Sequence, residues 1–149
     1  MDTPVPHSPQ DPAFEERVRK SFLRQKVMQT IGARMLAVTP GLVEIELPYH
    51  PGLTQQDGYL HAGIVTTIAD SACGYAAYSL LPADVAVLTV EFKVNLLAPA
   101  KGERFVARGR VLKSGRTLTV CMADVVAYPS EKTVATMLGT IMAMGSRKS

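Results

Sequence analysis

Between His61 and Pro82 the chain carries a single charged side chain, Asp70, in a run that is otherwise apolar or small on nearly every side. Ala62, Gly63, Ile64, Val65, Ile68, Ala69, Ala72, Cys73, Ala76, Ala77, Leu80 and Leu81 fall all round a helix that Pro82 stops. A helix without a polar face has to be enclosed. In a chain of 149 residues, enough for one domain, the available enclosure is a sheet that curls around it. The small residues Ala69, Ala72, Ala76 and Ala77 let strands come close. Asp70, Ser71 and Gly74 at the centre of this run favour a buried helix over a membrane span.

The flanking segments supply such a sheet. Residues 1–12 have prolines at 4, 6, 9 and 12 and read as a disordered tail. Asp11-Pro12 forms a helix start, with Asp as N-cap and Pro at N1. Phe14, Val18, Phe22, Val27 and Ile31 then recur at helical spacing, so the sequence predicts one N-terminal helix over 13–31, ended by Gly32. Beyond it the period becomes two. Arg34–Thr39 and Leu42–Leu47 flank Pro40-Gly41, a hairpin signal. After the central helix come four further strands, Val85–Leu97, Arg104–Lys113, Thr117–Tyr128 and Thr133–Met144, whose short separators join antiparallel neighbours. The order helix, two strands, helix, four strands predicts an α+β domain over 32–145 with one antiparallel sheet wrapped on the central helix.

Composition narrows the function. Hydrophobic residues make up 47% and charged residues 19%, too apolar for bulk disorder. Aromatics are 6% with no Trp, which argues against a base-stacking platform, and a net charge of +3 falls short of a nucleic-acid footprint. Cys73 and Cys121 lie in apolar segments, and with His7, His50 and His61 scattered no metal site is expected. No signal peptide is visible, and free thiols fit a cytoplasmic protein.

Asp70 is the foremost candidate for chemistry, because a carboxylate in an apolar helix needs a dedicated partner or a functional reason to be there. A structural Asp bonded to a neighbouring loop is the plain alternative. His61, Ala62 and Gly63 open the helix, where unpaired N–H groups favour an anion or a developing oxyanion. Close packing alone would also account for Gly63. Gly63 and Asp70 share a helix face to within about 20° but lie about 10.5 Å apart along the axis. Groups so far apart cannot touch one carbonyl. Acting together, they must come from different subunits of a two-fold dimer.

These residues resemble the hotdog-fold acyl-CoA thioesterases of the PaaI type. The resemblance runs from about Gly32 to Gly145 and centres on Gln55…Gly58-Tyr59-Leu60-His61-Ala62-Gly63…Asp70, similar to the family's Asn…Gly…His-Gly-Gly…Asp. Two further blocks are Val87–Phe92 with Leu97–Gly102, and Val111–Thr117. The resemblance implies a hotdog fold, homodimers that pair into homotetramers, and hydrolysis of acyl-CoA with coenzyme A as part of the substrate and no separate cofactor. Asp70 takes the place of the catalytic nucleophile or general base, Ala62 and Gly63 polarise the carbonyl, His61 shapes the loop, and Thr89 orients the water or the carboxylate. Lys113, Ser114, Gly115, Arg116 and Thr117 would hold the nucleotide end of CoA. Ala62 and Gln55 depart from the family's Gly and Asn; the first keeps its N–H, the second its amide donor.

The acyl chain is expected to run between helix and sheet, past Ala69, Cys73 and Ala77. Two alternatives remain. A hotdog hydratase would pair a His with an acid, but His61 lies about 180° round the helix from Asp70. A non-catalytic acyl-CoA-binding module would use the same pocket without turnover. Arg104, Arg108 and Arg110 read as a solvated strand face.

Overall fold

The computed structural model describes residues 6–145. Six strands, β1 (Arg34–Thr39), β2 (Leu42–Pro48), β3 (Ala86–Leu96), β4 (Arg104–Ser114), β5 (Leu118–Tyr128) and β6 (Lys132–Met144), form one antiparallel sheet in the order β1-β2-β4-β5-β6-β3. Alternation along β5 shows how it is built: Thr119, Cys121, Ala123, Val125 and Ala127 are buried, and the residues between them face outward. The buried side packs on helix α3 (Ala62–Tyr78), whose Val65, Ile68, Ala69, Ala72, Cys73 and Ala76 form the centre of the core. This is the hotdog arrangement.

Sheet and helix touch backbone to backbone. A Cβ placed on Gly109 of β4 would collide with the main chain of Ala72, so the approach needs glycine on one side and alanine on the other. The contact also overturns one expectation. Ala69, Cys73 and Ala77 are at most 1% exposed and leave no channel for an acyl chain, because small residues here bring the layers together and so leave no space.

Enclosure of α3 is incomplete along one stripe. Gly63, Thr67, Asp70, Gly74 and Tyr78 keep partial or full exposure at spacings of four and three residues, and from Ile68 onward every helix residue between them is buried. The Gly63–Asp70 face inferred from spacing is therefore the helix's open side.

The N-terminal region departs from the single helix expected over 13–31. It is two helices, α1 (Phe14–Arg24) and α2 (Lys26–Ile31), with an elbow at Gln25, whose backbone is extended at φ −78°, ψ 97°. Gly32 ends α2 in the left-handed conformation, φ 78°, as a C-capping glycine does. Asp11-Pro12 does not cap the helix directly: Asp11 Oδ1 accepts from the Ala13 N–H at 2.9 Å and the helix starts at Phe14. Part of the segment read as a tail lies against the domain. The His7 ring sits 3.4 Å from the Val111 carbonyl, and the Gln10 N–H reaches Leu80 O at 3.3 Å. Residues 1–5 fall outside the described residues.

Arg17 fastens α1 to the end of α3. Its Nε pairs with Asp11 at 2.9 Å, and its Nη2 donates to Tyr78 O and Leu81 O at 3.1 and 2.8 Å. The arginines along β4 are rungs of a charge ladder: Arg104 pairs with Glu46, Arg108 with Glu44 and Arg110 with Asp124. Among the described residues, no helix is long and apolar enough to cross a membrane.

Candidate active site

Asp70 stands at the middle of the open stripe, and the sheet meets it there. The Thr89 hydroxyl on β3 donates to Asp70 Oδ1 at 2.8 Å. One carboxylate oxygen is thereby fixed, and Oδ2 has no protein donor among the described residues. The pair expected from the sequence is brought together. It sits in a cleft of about 530 Å³ bounded by β3, α3 and the α1–α2 elbow. Beside Asp70, the Ser71 hydroxyl donates to Gln25 Oε1 at 3.1 Å, and Ser21 Oγ lies 3.2 Å from the Tyr75 hydroxyl.

The start of α3 opens into a different cleft, of about 460 Å³, lined by Gln55, Tyr59, Ala62, Leu96, Leu97 and Val134 among others. His61 is the N-cap, and its Nδ1 accepts the Gly63 N–H at 2.9 Å. Of the two expected oxyanion donors, Gly63 is thus engaged by the His61 ring, while the Ala62 N–H has no partner among the described residues. The cap needs an unprotonated Nδ1, which leaves the proton of neutral His61 on Nε2. Gln55 closes its own loop: Oε1 accepts from Asp57 N at 2.5 Å and Tyr59 N at 3.3 Å, and Nε2 lies 3.4 Å from Asp57 Oδ2. Its amide donor is turned toward Asp57, although the residue still borders the cleft.

Lys113, Ser114, Gly115, Arg116 and Thr117 form the exposed tip of the β4–β5 hairpin. Leu118 and Leu88 pair with Met142 from opposite sides of β6, so the tip stands about 9–10 Å from the Asp70 end of β3, two strand spacings away. The structure gathers it with neither Asp70 nor Ala62 in one cleft.

Both cysteines are buried, and burial pushes the Cys121 thiol up to about 12 and that of Cys73 higher still. Neutral buried thiols are not nucleophiles. Among the described residues, no three His, Cys, Asp or Glu side chains gather as a metal site would require. Ser21, Gln25 and Tyr78 border the Asp70 cleft without having stood out in the sequence. They come from separate elements, and only Gly74, a glycine inside a helix, carried a local signal.

A carboxylate held by a Thr hydroxyl and an open helix start, on one helix face but in separate clefts, is the geometry to set against known proteins. Residues 57–134, just over half of the chain, match the thioesterase superfamily. The chain belongs to the thioesterase superfamily. A thioesterase family protein from Silicibacter pomeroyi is 55% identical, with a TM-score of 0.87 over 89% of this chain and 99% of its own. Acyl-coenzyme A thioesterase 13 of Homo sapiens is 28% identical over 102 residues, 68% of this chain and 72% of its length. The PaaI protein of E. coli, from the phenylacetic acid degradation operon, shares the fold alone, with 18% identity and a TM-score of 0.82 over 89% of this chain and 94% of its own. Within this thioesterase domain the superfamily match spans both the Ala62–Gly63 helix start and the Asp70–Thr89 pair.

Proposed function

We propose that the chain hydrolyses acyl-CoA thioesters at sites shared between two copies, Asp70 of one subunit acting with the helix start of the other. The observation that carries this reading is the hydrogen bond from Thr89 to Asp70 Oδ1, which leaves Oδ2 to serve the reaction. As general base, Oδ2 takes a proton from water as the water oxygen bonds to the thioester carbonyl carbon. The Ala62 N–H of the other copy stabilises the oxyanion. Collapse then breaks the C–S bond, and the sulfur leaves with a proton as CoA-SH beside the free acid. Direct attack by Oδ2 is the alternative, through an anhydride that water opens.

The bare edge of β3 supports the shared site. Leu88, Val90, Phe92 and Leu96 are 55, 48, 45 and 55% exposed on a strand with no neighbour on its outer side among the described residues. An exposed apolar edge of this length pairs with another strand. The first residues of β3 border Asp70 and its last residue borders Ala62. Antiparallel pairing of β3 with its own copy therefore brings the second helix start to the first Asp70. A dimer follows, and the outward sheet face, carrying Leu118 and Leu138, remains for pairing dimers into tetramers. The exposed cations of the Lys113–Thr117 turn lie at the Asp70 end and suit the CoA phosphates. A hydratase is disfavoured because His61 is engaged in capping α3.

Thiol release from short, medium, long and aromatic acyl-CoAs tests the reading. Asp70→Asn is expected to lower turnover about a hundredfold or more with binding retained. Wild type that binds the esters and cleaves none of them would make the protein a binding module. Ala62→Pro removes only the N–H at the first helical position, where proline is tolerated. Mixed dimers of Asp70→Asn and Ala62→Pro are expected to recover activity that neither variant has alone; failure to recover would refute the shared site.

A further inference from the structure

The geometry points to Gly74 as the residue that determines which acyl groups this enzyme accepts, an inference that rests on the thioesterase reading above. A glycine in a helix interior destabilises it relative to alanine, so its presence needs a reason. Gly109, on strand β4, has one of its own, since a Cβ there would strike the backbone of Ala72. Gly74 has no such reason: among the described residues, a Cβ there would meet no atom within 4 Å beyond its own helix and its chain neighbours. It is the floor of the Asp70 cleft, one helical turn beyond the carboxylate on the open stripe.

What the missing side chain leaves is room for ligand. Asp70, Gly74 and Tyr78 follow one another at intervals of four residues, about 6 Å each, so the cleft floor spans about 12 Å of helix axis between Asp70 and Tyr78. Tyr78 is held by the Arg17 guanidinium, 4.2 Å from its ring centroid, and forms a fixed far end. The elbow residue Gln25, anchored to Ser71, makes the side wall. The acyl group that fits is compact, with its width about 6 Å beyond the thioester carbon, where Gly74 offers no side chain. A ring or a branched group has that shape, and a long straight chain has to leave past Tyr78.

The test compares benzoyl-CoA with acetyl-CoA as kcat/KM for wild type, Gly74→Ala and Gly74→Leu. Gly74→Leu is expected to lower the benzoyl-to-acetyl ratio tenfold or more, with Gly74→Ala between. Gly74→Ala is also expected to raise Tm by about 2–4 °C while remaining dimeric. An unchanged ratio overturns the inference. So does a Gly74→Ala protein that is less stable or monomeric, since the glycine would then serve packing. Kd values for both esters in the Asp70→Asn background separate the two readings. Loss of benzoyl-CoA binding on adding Gly74→Leu supports the acyl floor even if wild type hydrolyses nothing, whereas unchanged binding refutes it even if wild type is active.

Discussion

Replacing Arg17 by Met should loosen the whole N-terminal layer, and the size of the effect follows from its contacts. The substitution keeps an apolar stem of similar length but removes an ion pair at 2.9 Å to Asp11, both side chains being only 13% exposed. It also removes donors from Tyr78 O at the last residue of α3 and Leu81 O just past it, and a cation over the Tyr78 ring. Removing one member of a buried pair costs about 3–5 kcal/mol. One gain opposes this loss: Arg17 Nη1 is buried without a partner among the described residues, and its removal returns about 1–2 kcal/mol of desolvation. The net expectation is about 3 kcal/mol, or a Tm lower by about 10 °C in a domain of this size. Urea denaturation of Arg17→Met, Asp11→Asn and the double variant would measure it. The double variant should be more stable than the summed single effects by about 1–2 kcal/mol, since Asp11 is no longer left unpaired. A single-variant loss under about 1 kcal/mol would refute the argument that this guanidinium holds α1 on α3.

Gly109→Ala should fail to fold or lose more than about 3 kcal/mol, because the added methyl meets helix backbone that no rotamer can relieve; soluble yield and a urea midpoint would show it. The buried thiols give a pH dependence. Their folded pKa values lie above those of the unfolded chain, so their contribution is complete below about pH 8.5 and is lost as pH rises. By pH 10 each thiol should have cost about 2 kcal/mol of stability, and Cys73→Ala should flatten the decline measured by denaturation from pH 8 to 10.

Strand pairing was legible at Pro40-Gly41 and Ser114-Gly115, but the equally short separator 99–102 misled. Expected to be neighbours, β3 and β4 do not pair, because β2 and β5 take both edges of β4 and β3 crosses to the far edge beside β6. The Gly63–Asp70 face was legible because helix geometry depends on nothing outside the helix. The elbow at Gln25 was not, since no glycine or proline marks it and its side chain is held by Ser71, 46 residues away. The expected acyl channel failed for a related reason. Alanines at 69 and 77 are compatible with either a gap or a close approach, and Gly109 on another strand decides for the approach. At the helix start the sequence offered two N–H donors, but the rotamer of His61, invisible in a sequence, engages the one on Gly63.

The uncovered edge of β3 also has a kinetic meaning. If catalysis needs two copies paired along that edge, a newly made chain is inert and activity grows with the square of its concentration until pairing saturates. Dilution would then silence the enzyme without unfolding it. In a cell, the number of copies would set the rate of hydrolysis more steeply than in proportion.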